Sequence, residues 1–389
     1  MTRLRIAMVS EHASPLAMLG GVDAGGQNTH VAELAAALAR HGHEVRVYTR
    51  RDSADAPQTV PFTEGVLVEH VPAGPAEPLP KDALLPHMGK FGRWLAARWD
   101  NGFTPDVVHA HFWMSGLAAL TATASRRIPV VVTFHALGSV KRRYQGAKDT
   151  SPETRVGLER ELGRAGVPRT SIEVVPSGVN TELFQPTGPA APAPPEGRQR
   201  ILTVGRMVER KGFADLIQAL RRLPGAELVV VGGPPADRLD TDPEATRLRA
   251  LADRLKVGDR LRLLGAVPRE DMPGWYRSAD VVACTPWYEP FGLTPLEAMA
   301  CGVPVVAYAV GGLAESVIDG VTGTLVPARD VRGLTVALRT VLADDVCRMS
   351  YASAAVDRVR SRYTWARTAA EIERVYTRVA DPALTEVSS

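Results

Sequence analysis

Cysteine is scarce in this chain, with only Cys284, Cys301 and Cys347. Their spacing matches no metal-ligand pattern, and so few thiols fit a reducing compartment. Charge of one sign is scarce as well. A formal net charge of +3 gives no polyanion-binding surface, so nucleic acid is not an expected partner. No apolar run is long enough to cross a bilayer, and "RIAMVS" after Met1 is too short for the apolar region of a signal peptide. The expectation is a cytoplasmic protein without a transmembrane segment. Also missing is a G-x-G-x-x-G after a strand with an acidic residue about 20 positions later, the mark of a dinucleotide-dependent oxidoreductase. Gly232 and Gly233 in "VVVGGPP" run into prolines that do not open the required helix.

What is present is a soluble α/β pattern. Apolar content of 45% and charged content of 23% are those of a globular protein, and the length suits two domains of under about 200 residues each. Strand-like runs "RLRIAMVS", "EVRVYTR", "DVVHAHF", "PVVVTFH" and "IEVVPSG" form one series, with helical stretches such as "THVAELAAALARHG" separating the first of them. "RILTVGR", "ELVVVGG", "LRLLGAV", "DVVACTP", "PVVAYAV" and "GTLVPA" form a second. Strands alternating with helices predict parallel sheets covered on both faces, so two series predict two doubly wound domains. The Pro- and Ala-rich segment 185–200 reads as a semi-rigid linker between a domain over 1–184 and one over 201–350. Helices over 351–380 follow, packing back on the first domain, and "DPALTEVSS" reads as a frayed tail.

Ligands of open parallel sheets bind beyond the carboxyl ends of the strands, so the chemistry is sought in those loops. After the first strand, Gly25 and Gly26 precede a helix and can bring bare amides to a phosphate; the alternative is a plain Gly-rich turn. In "ILTVGRMVERKG", Gly205 ends a strand, Arg206 follows it and Lys211 stands at the entry to a helix, a setting that suits a diphosphate. The alternative is solvated surface charge flanked by Glu209 and Arg210. In "PWYEPFGLTPLEAMACG", Thr294, Pro295 and Glu297 read as N-cap, N1 and N3 of a capping box. That leaves Glu289, in a loop with Trp287, Tyr288 and Phe291, without a structural task. Two carboxylates that can accept from sugar and ribose hydroxyls, beside a diphosphate clamp, describe a nucleotide-sugar site.

Over nearly its whole length the sequence resembles the retaining glycosyltransferases of the GT-B fold that include sucrose-phosphate synthase, sucrose synthase and inositol-phosphate glycosyltransferases. The E-x7-E stretch "EPFGLTPLE" with "AMACGVPVVAYAVGGLAESVIDGVTGTLVP" is its most specific part, supported by "GGQN", "HAHFWMSG", "TFHALGSVKRR" and "GRMVERKG". The resemblance implies two Rossmann-like domains facing across a cleft. It assigns Arg206 and Lys211 to the donor diphosphate, Glu297 to the ribose and Glu289 to the transferred sugar. Backbone amides at Phe291, Gly292 and Leu293 complete the donor site, with Gly26 opposite. His135 meets the sugar, and Lys141 and Arg155 hold an acceptor phosphate in the phosphorylated branches; Gln27 and His111 are placed on the acceptor side. Lys81 lies toward that side in the sucrose-synthase-like branch.

From the residues alone, His109 reads as a core histidine opposite His111, and Arg142 and Arg143 as an exposed basic helix face. These histidines lack acidic partners at metal-binding spacing, so no metal or other cofactor is expected, only the nucleotide-sugar co-substrate. The reaction expected is hexose transfer from a UDP-sugar, rather than a GDP-sugar, to a small sugar or polyol. The resemblance implies that the departing phosphate takes the acceptor proton on the same face, so that configuration is retained. Arg206 and Lys211 then stabilise the leaving group and count as catalytic with His135 and Glu289. One departure stands against the resemblance. Between Arg164 and Ala165 a strand–helix unit of roughly 15 to 20 residues is absent, which would leave ladder groups unpaired or force flanking strands together. A nucleotide-sugar-binding protein with impaired transfer is therefore the alternative, and an oxidoreductase the remote one.

Overall fold

The computed structural model describes residues 3–17, 25–145, 155, 157–159 and 172–380. They fall into two units: the described residues of 3–17, 26–176 and 365–380 form one, and Gly25 with residues 177–364 the other.

The first unit runs β1 (Arg5–Val9), α1 (Gly26–Arg40), β2 (Glu44–Arg50), β3 (Thr59–Thr63), β4 (Val66–Val71), α2 (Met88–Asp100), β5 (Val107–His111), α3 (Trp113–Thr123), β6 (Val130–Thr133) and α4 (Gly138–Gln145). Its sheet has the order β3-β4-β2-β1-β5-β6 and is parallel except at β3, which meets β4 antiparallel. That hairpin was not among the expected strands: "TVPFT" holds a proline and lies at an edge, where a missing amide is tolerated. Alternation along β1 sorts the core. Ile6 and Met8 pack toward α1, whereas Ala7 and Val9 pack toward Phe91, Trp99 and Trp113 of α2 and α3.

The second unit runs β7 (Gln199–Val204), α5 (Phe213–Leu220), β8 (Ala226–Val231), α6 (Pro243–Arg254), β9 (Leu261–Gly265), α7 (Met272–Arg277), β10 (Val281–Cys284), α8 (Leu293–Ala300), β11 (Val305–Tyr308), α9 (Gly312–Ser316), β12 (Gly323–Val326), α10 (Val331–Ala343) and α11 (Asp345–Arg362). All six strands are parallel, in the order β12-β11-β10-β7-β8-β9. The fully buried runs of β8, β10 and β11 are the apolar stretches a sheet covered on both faces requires. Inside this core Arg200 and Glu227 pair at 2.7 Å, with side chains 0% and 1% exposed.

Three boundaries differ from the sequence expectation. The segment 185–200, expected as a semi-rigid linker between the domains, lies within the second unit. It is strapped there by Arg277, which donates to the carbonyls of Gln185 and Pro189, and by the Ala191 amide, which donates to the Gly274 carbonyl. The C-terminal helices divide: α11 stays with the second unit, whereas α12 (Trp365–Ala380) belongs to the first. Trp365, Ala369, Ile372 and Tyr376 form one buried stripe of α12 at helical spacing. Beside that stripe Glu373 receives His41 Nδ1 at 2.7 Å and His43 Nε2 at 3.0 Å. Because the Leu4 amide donates to His43 Nδ1, the proton of His43 sits on Nε2, toward the carboxylate.

Third, "IEVVPSG" is not a strand. Residues 172–178 form no ladder, and Ile172 and Val174 are 69% and 79% exposed. The absent strand–helix unit at 164–165 and the C-terminal tail lie outside the described residues.

Candidate functional site

In the second unit the carboxyl ends of β7, β10 and β11 lie side by side, and their loops are stitched backbone to backbone. Gly212 has φ +71°, and a Cβ there would sit 1.9 Å from the Thr285 carbonyl oxygen. Only glycine allows the 206–212 loop to approach so closely. The Trp287 amide donates to the Arg210 carbonyl at 2.8 Å. Gly311 does the same for the β11 loop: its φ is +46° and a Cβ would lie 2.2 Å from the Glu289 carbonyl oxygen.

This stitching brings Lys211 and Glu289 together. Lys211 Nζ donates to Glu289 Oε2 at 2.6 Å, with side chains 16% and 17% exposed. Burial alone would raise the Glu289 carboxyl, but the charge and hydrogen bond of Lys211, helped by Arg210 and the Phe291 amide, hold it below its ordinary value. It is an anion poised against a cation. The lysine stem lies across Gly205, where an added Cβ would meet Lys211 Cε at 3.2 Å. Arg210, which the sequence suggested only as a flanking charge, feels burial first and then Arg206 and Glu289. Three cations therefore share this corner.

The capping box does not form. Gly292, with φ +71°, is the N-cap of α8, so the helix begins at Leu293 and Thr294 lies inside the first turn. The left-handed glycine supplies the start that the threonine was expected to supply. Glu297 turns away from the helix end. Its Oε2 accepts from Tyr276 Oη at 2.8 Å and its Oε1 from Arg269 Nη1 at 3.1 Å. Burial pushes the Cys284 thiol at the end of β10 up to about 12, with Lys211 lowering it and Glu289 and Glu297 raising it.

In the first unit the ends of β1, β5 and β6 carry the histidines. His109 and His111, two residues apart, share a face rather than opposing one another, with ring centroids 4.1 Å apart. His109 is buried between Tyr376 Oη at 2.7 Å and Thr133 Oγ1 at 2.8 Å. His111 Nδ1 lies 2.9 Å from His135 Nε2. His135 has φ +57°, and His30 stands edge-on to it at 5.0 Å. Burial holds His30 at about 4, His109 at about 3, and His111 and His135 well below the ordinary value, so this cluster is neutral at pH 7. Gln27 Nε2 donates to the His111 carbonyl at 3.3 Å.

Arg155 is buried. Its Nε meets Glu159 Oε1 at 2.7 Å and its Nη2 donates to the Ala136 carbonyl at 2.6 Å, beside His135. Its guanidinium lies 4.9 Å from the Phe112 ring centroid, and Lys81 Nζ lies 3.9 Å from the same centroid. Lys141 is on α4, with its side chain outside the described residues; Arg142 and Arg143 are exposed.

The sequence reading missed Tyr276 and Arg269, and also Glu11 and His12 just beyond β1. Glu11 is 1% exposed; it receives Ser115 Oγ and meets His12 Nδ1 at 2.7 Å. Burial opposes its charge, and His12 and Ser115 hold the carboxyl below its ordinary value. The rule that ligands gather beyond strand ends would have found "SEH". No local pattern marks Tyr276.

Comparison with known proteins adds the following. Residues 24–183 match the family described as Glycosyltransferase Family 4, and residues 185–358 match Glycosyl transferases group 1. D-inositol 3-phosphate glycosyltransferase of Xylanimonas cellulosilytica is 39% identical over 407 residues, covering 96% of each chain. The protein of the same name from Mycolicibacterium smegmatis is 36% identical, covering 97% of this chain and 92% of its own. Sucrose-phosphate synthase from Thermosynechococcus elongatus superposes with a TM-score of 0.88 at 30% identity, covering 97% and 99%. HepE of Anabaena, solved with UDP and glucose, shares the fold at a TM-score of 0.69 and 20% identity, covering 96% and 100%.

Proposed function

The chain belongs to the family 4 glycosyltransferases, and from that premise we propose that it moves a hexose from a UDP-sugar, in preference to a GDP-sugar, to a small phosphorylated sugar or polyol, with retention of configuration and without a metal. The observation that carries this reading is the Lys211–Glu289 pair at the joined strand ends. A carboxylate kept ionised beside a lysine offers a sugar hydroxyl an acceptor, and the same lysine, with Arg206, offers a leaving diphosphate its counter-charge. Preorganised cations aimed at developing charge are the largest single contribution a protein makes to such a departure. The departing phosphate carries the acceptor proton away, so no protein base is required.

To the donor we assign the amides of Phe291, Gly292 and Leu293 and the glycines Gly25 and Gly26, and to its ribose Glu297. His135 meets the transferred sugar as a neutral imidazole. Gln27, His111, Lys141 and Arg155 serve the acceptor; Arg155, paired with Glu159, also holds the backbone next to His135. The names of the full-length relatives, with inositol 3-phosphate and sucrose phosphate in them, support a phosphorylated acceptor.

The test is a transfer assay with UDP-glucose, UDP-N-acetylglucosamine and GDP-mannose against inositol 3-phosphate, fructose 6-phosphate and their dephosphorylated parents. The expected result is turnover with one UDP-sugar and a phosphorylated acceptor, unchanged by EDTA, and a product whose anomeric configuration matches the donor. Equal turnover with the dephosphorylated acceptor refutes the acceptor class; an inverted anomer or loss of rate in EDTA refutes the mechanism. A binding-only protein is the second reading, favoured by the absence of a strand at 172–178. It predicts UDP binding with no product from any pair.

A further inference from the structure

Glu11 is a buried carboxylate with no task in the reading above. The Arg50 amide donates to its carbonyl at 3.2 Å, and the Ser10 hydroxyl donates to the Ala13 carbonyl at 2.9 Å, so the backbone that carries residues 11 and 12 is tied down. The Glu11 amide donates to Ser115 Oγ at 3.0 Å, and that hydroxyl donates in turn to Oε2. Oε1 faces His12 Nδ1 at 2.7 Å. Because an ionised carboxylate only accepts, the proton between them belongs to His12 Nδ1. His12 Nε2 makes no hydrogen bond among the described residues, and the side chain is 9% exposed.

The ring of His12 meets that of Phe112 edge-on, with centroids 5.1 Å apart. Phe112 holds φ +85° and ψ +155°, a region otherwise left to glycine, and strain of that kind collects at ligand sites. The same ring carries Lys81 Nζ at 3.9 Å and the Arg155 guanidinium at 4.9 Å. An oriented ring nitrogen and two cations therefore surround one aromatic side chain, and His12 and Lys81 lie within electrostatic reach of His135.

We propose that His12 is a specificity-determining residue for the acceptor, its Nε2 receiving a hydrogen bond from an acceptor hydroxyl that the reaction leaves unchanged. The inference rests on the transfer reading above and adds to it a group that reads the polyol or sugar rather than its phosphate. The attacking hydroxyl is not the partner, because under that reading its proton leaves with the departing phosphate. Glu11 is a positioning residue: it holds the ring proton on Nδ1 and so keeps the lone pair of the neutral ring on Nε2. A site that offers a lone pair to a hydroxyl rejects an analogue without it, since the nitrogen is then left without a partner.

The test is transfer by the full chain to whichever of inositol 3-phosphate and fructose 6-phosphate it turns over, and to the monodeoxy analogues of that acceptor, compared by kcat/KM. Wild type is expected to reject one analogue, altered at a position that is not glycosylated, by about 10-fold or more, the scale of one lost hydrogen bond. In His12→Phe, which keeps a ring against Phe112, the intact acceptor loses about 10-fold and that one discrimination falls to within about 3-fold, while the others stay as in wild type. His12→Gln, whose side-chain oxygen reaches the place of Nε2, keeps a preference of more than about 3-fold. A merely structural histidine would lower all analogues alike. Nitrogen-15 spectra of the histidine-labelled chain read the tautomer without turnover, with the proton expected on Nδ1 and the Nε2 resonance moving when the acceptor is added. Unchanged discrimination in folded His12→Phe overturns the inference, as does a neutral wild-type His12 with its proton on Nε2. If His12→Phe does not fold by circular dichroism, the Nε2 resonance decides, and no movement at saturating acceptor overturns it. Wild type that transfers to neither phosphorylated acceptor removes the acceptor reading and this inference with it. Transfer that accepts every deoxy analogue equally removes this inference alone.

Discussion

Replacing Lys211 by methionine keeps most of the stem volume and removes the charge that faces Glu289. At 2.6 Å and an effective dielectric of about 20, the gross attraction is about 6 kcal/mol. Desolvation of both ions subtracts most of it, but breaking a largely buried pair strands the remaining charge, and the net cost at pH 7 is about 3 kcal/mol. For a unit of about 190 residues that lowers Tm by about 6–12 °C. The pH dependence identifies the cause. In wild type the Glu289 carboxyl is held below its ordinary value of 4.5, so its stabilisation is fully present above that value and is lost as pH falls through the lower folded one. In Lys211→Met burial is left to dominate and the carboxyl moves above the ordinary value. The variant is then penalised at neutral pH and relieved as the group protonates. The Tm gap between wild type and variant is therefore widest at pH 7 and closes toward pH 4. Thermal melts across that range check this, with Glu289→Gln added to restore most of the lost stability in the Lys211→Met background. A gap independent of pH refutes the reasoning. If the same lysine serves the leaving group, turnover of the folded variant falls by at least ~100-fold at saturating donor; a near wild-type rate refutes that assignment.

Gly212→Ala is expected to destabilise by more than about 3 kcal/mol in a denaturant melt, since its Cβ would meet the Thr285 carbonyl at 1.9 Å. Gly25→Ala, whose added Cβ would meet no described residue within 4 Å, leaves the melt unchanged. Glu227→Ala strands Arg200 in the core and costs about 3–5 kcal/mol, whereas replacing both by apolar residues of similar volume recovers most of it. Ile172→Ser and Val174→Thr, at 69% and 79% exposure, each change stability by less than about 0.5 kcal/mol. A loss of about 2 kcal/mol or more, the cost of a core deletion, would show that this segment is packed after all.

Much of the architecture was legible. Val-rich runs such as "AELVVV" and "VVAC" read as strands covered on both faces and are fully buried. The strand-end loops were legible as the place to look for chemistry, and Lys211 and Glu289 do meet there. The capping box failed because Gly292, in a left-handed conformation, opens the helix before Thr294. The edge hairpin β3–β4 was missed because "TVPFT" is short and carries a proline. "IEVVPSG" has the composition of a strand, but a strand exists only with a partner, and none pairs with it among the described residues.

By itself the sequence determined the two α/β units, most of the strands within them and the residue types in the loops at their ends, because periodicity and turn chemistry are carried by neighbours along the chain. Tertiary structure decided the rest. It assigned 185–200 to the second unit, sent α12 to the first, and set Tyr276 rather than a helix end against Glu297. Those choices depend on which surfaces meet after folding, and a hydrogen bond between residues far apart in the chain leaves no mark on the residues beside either of them.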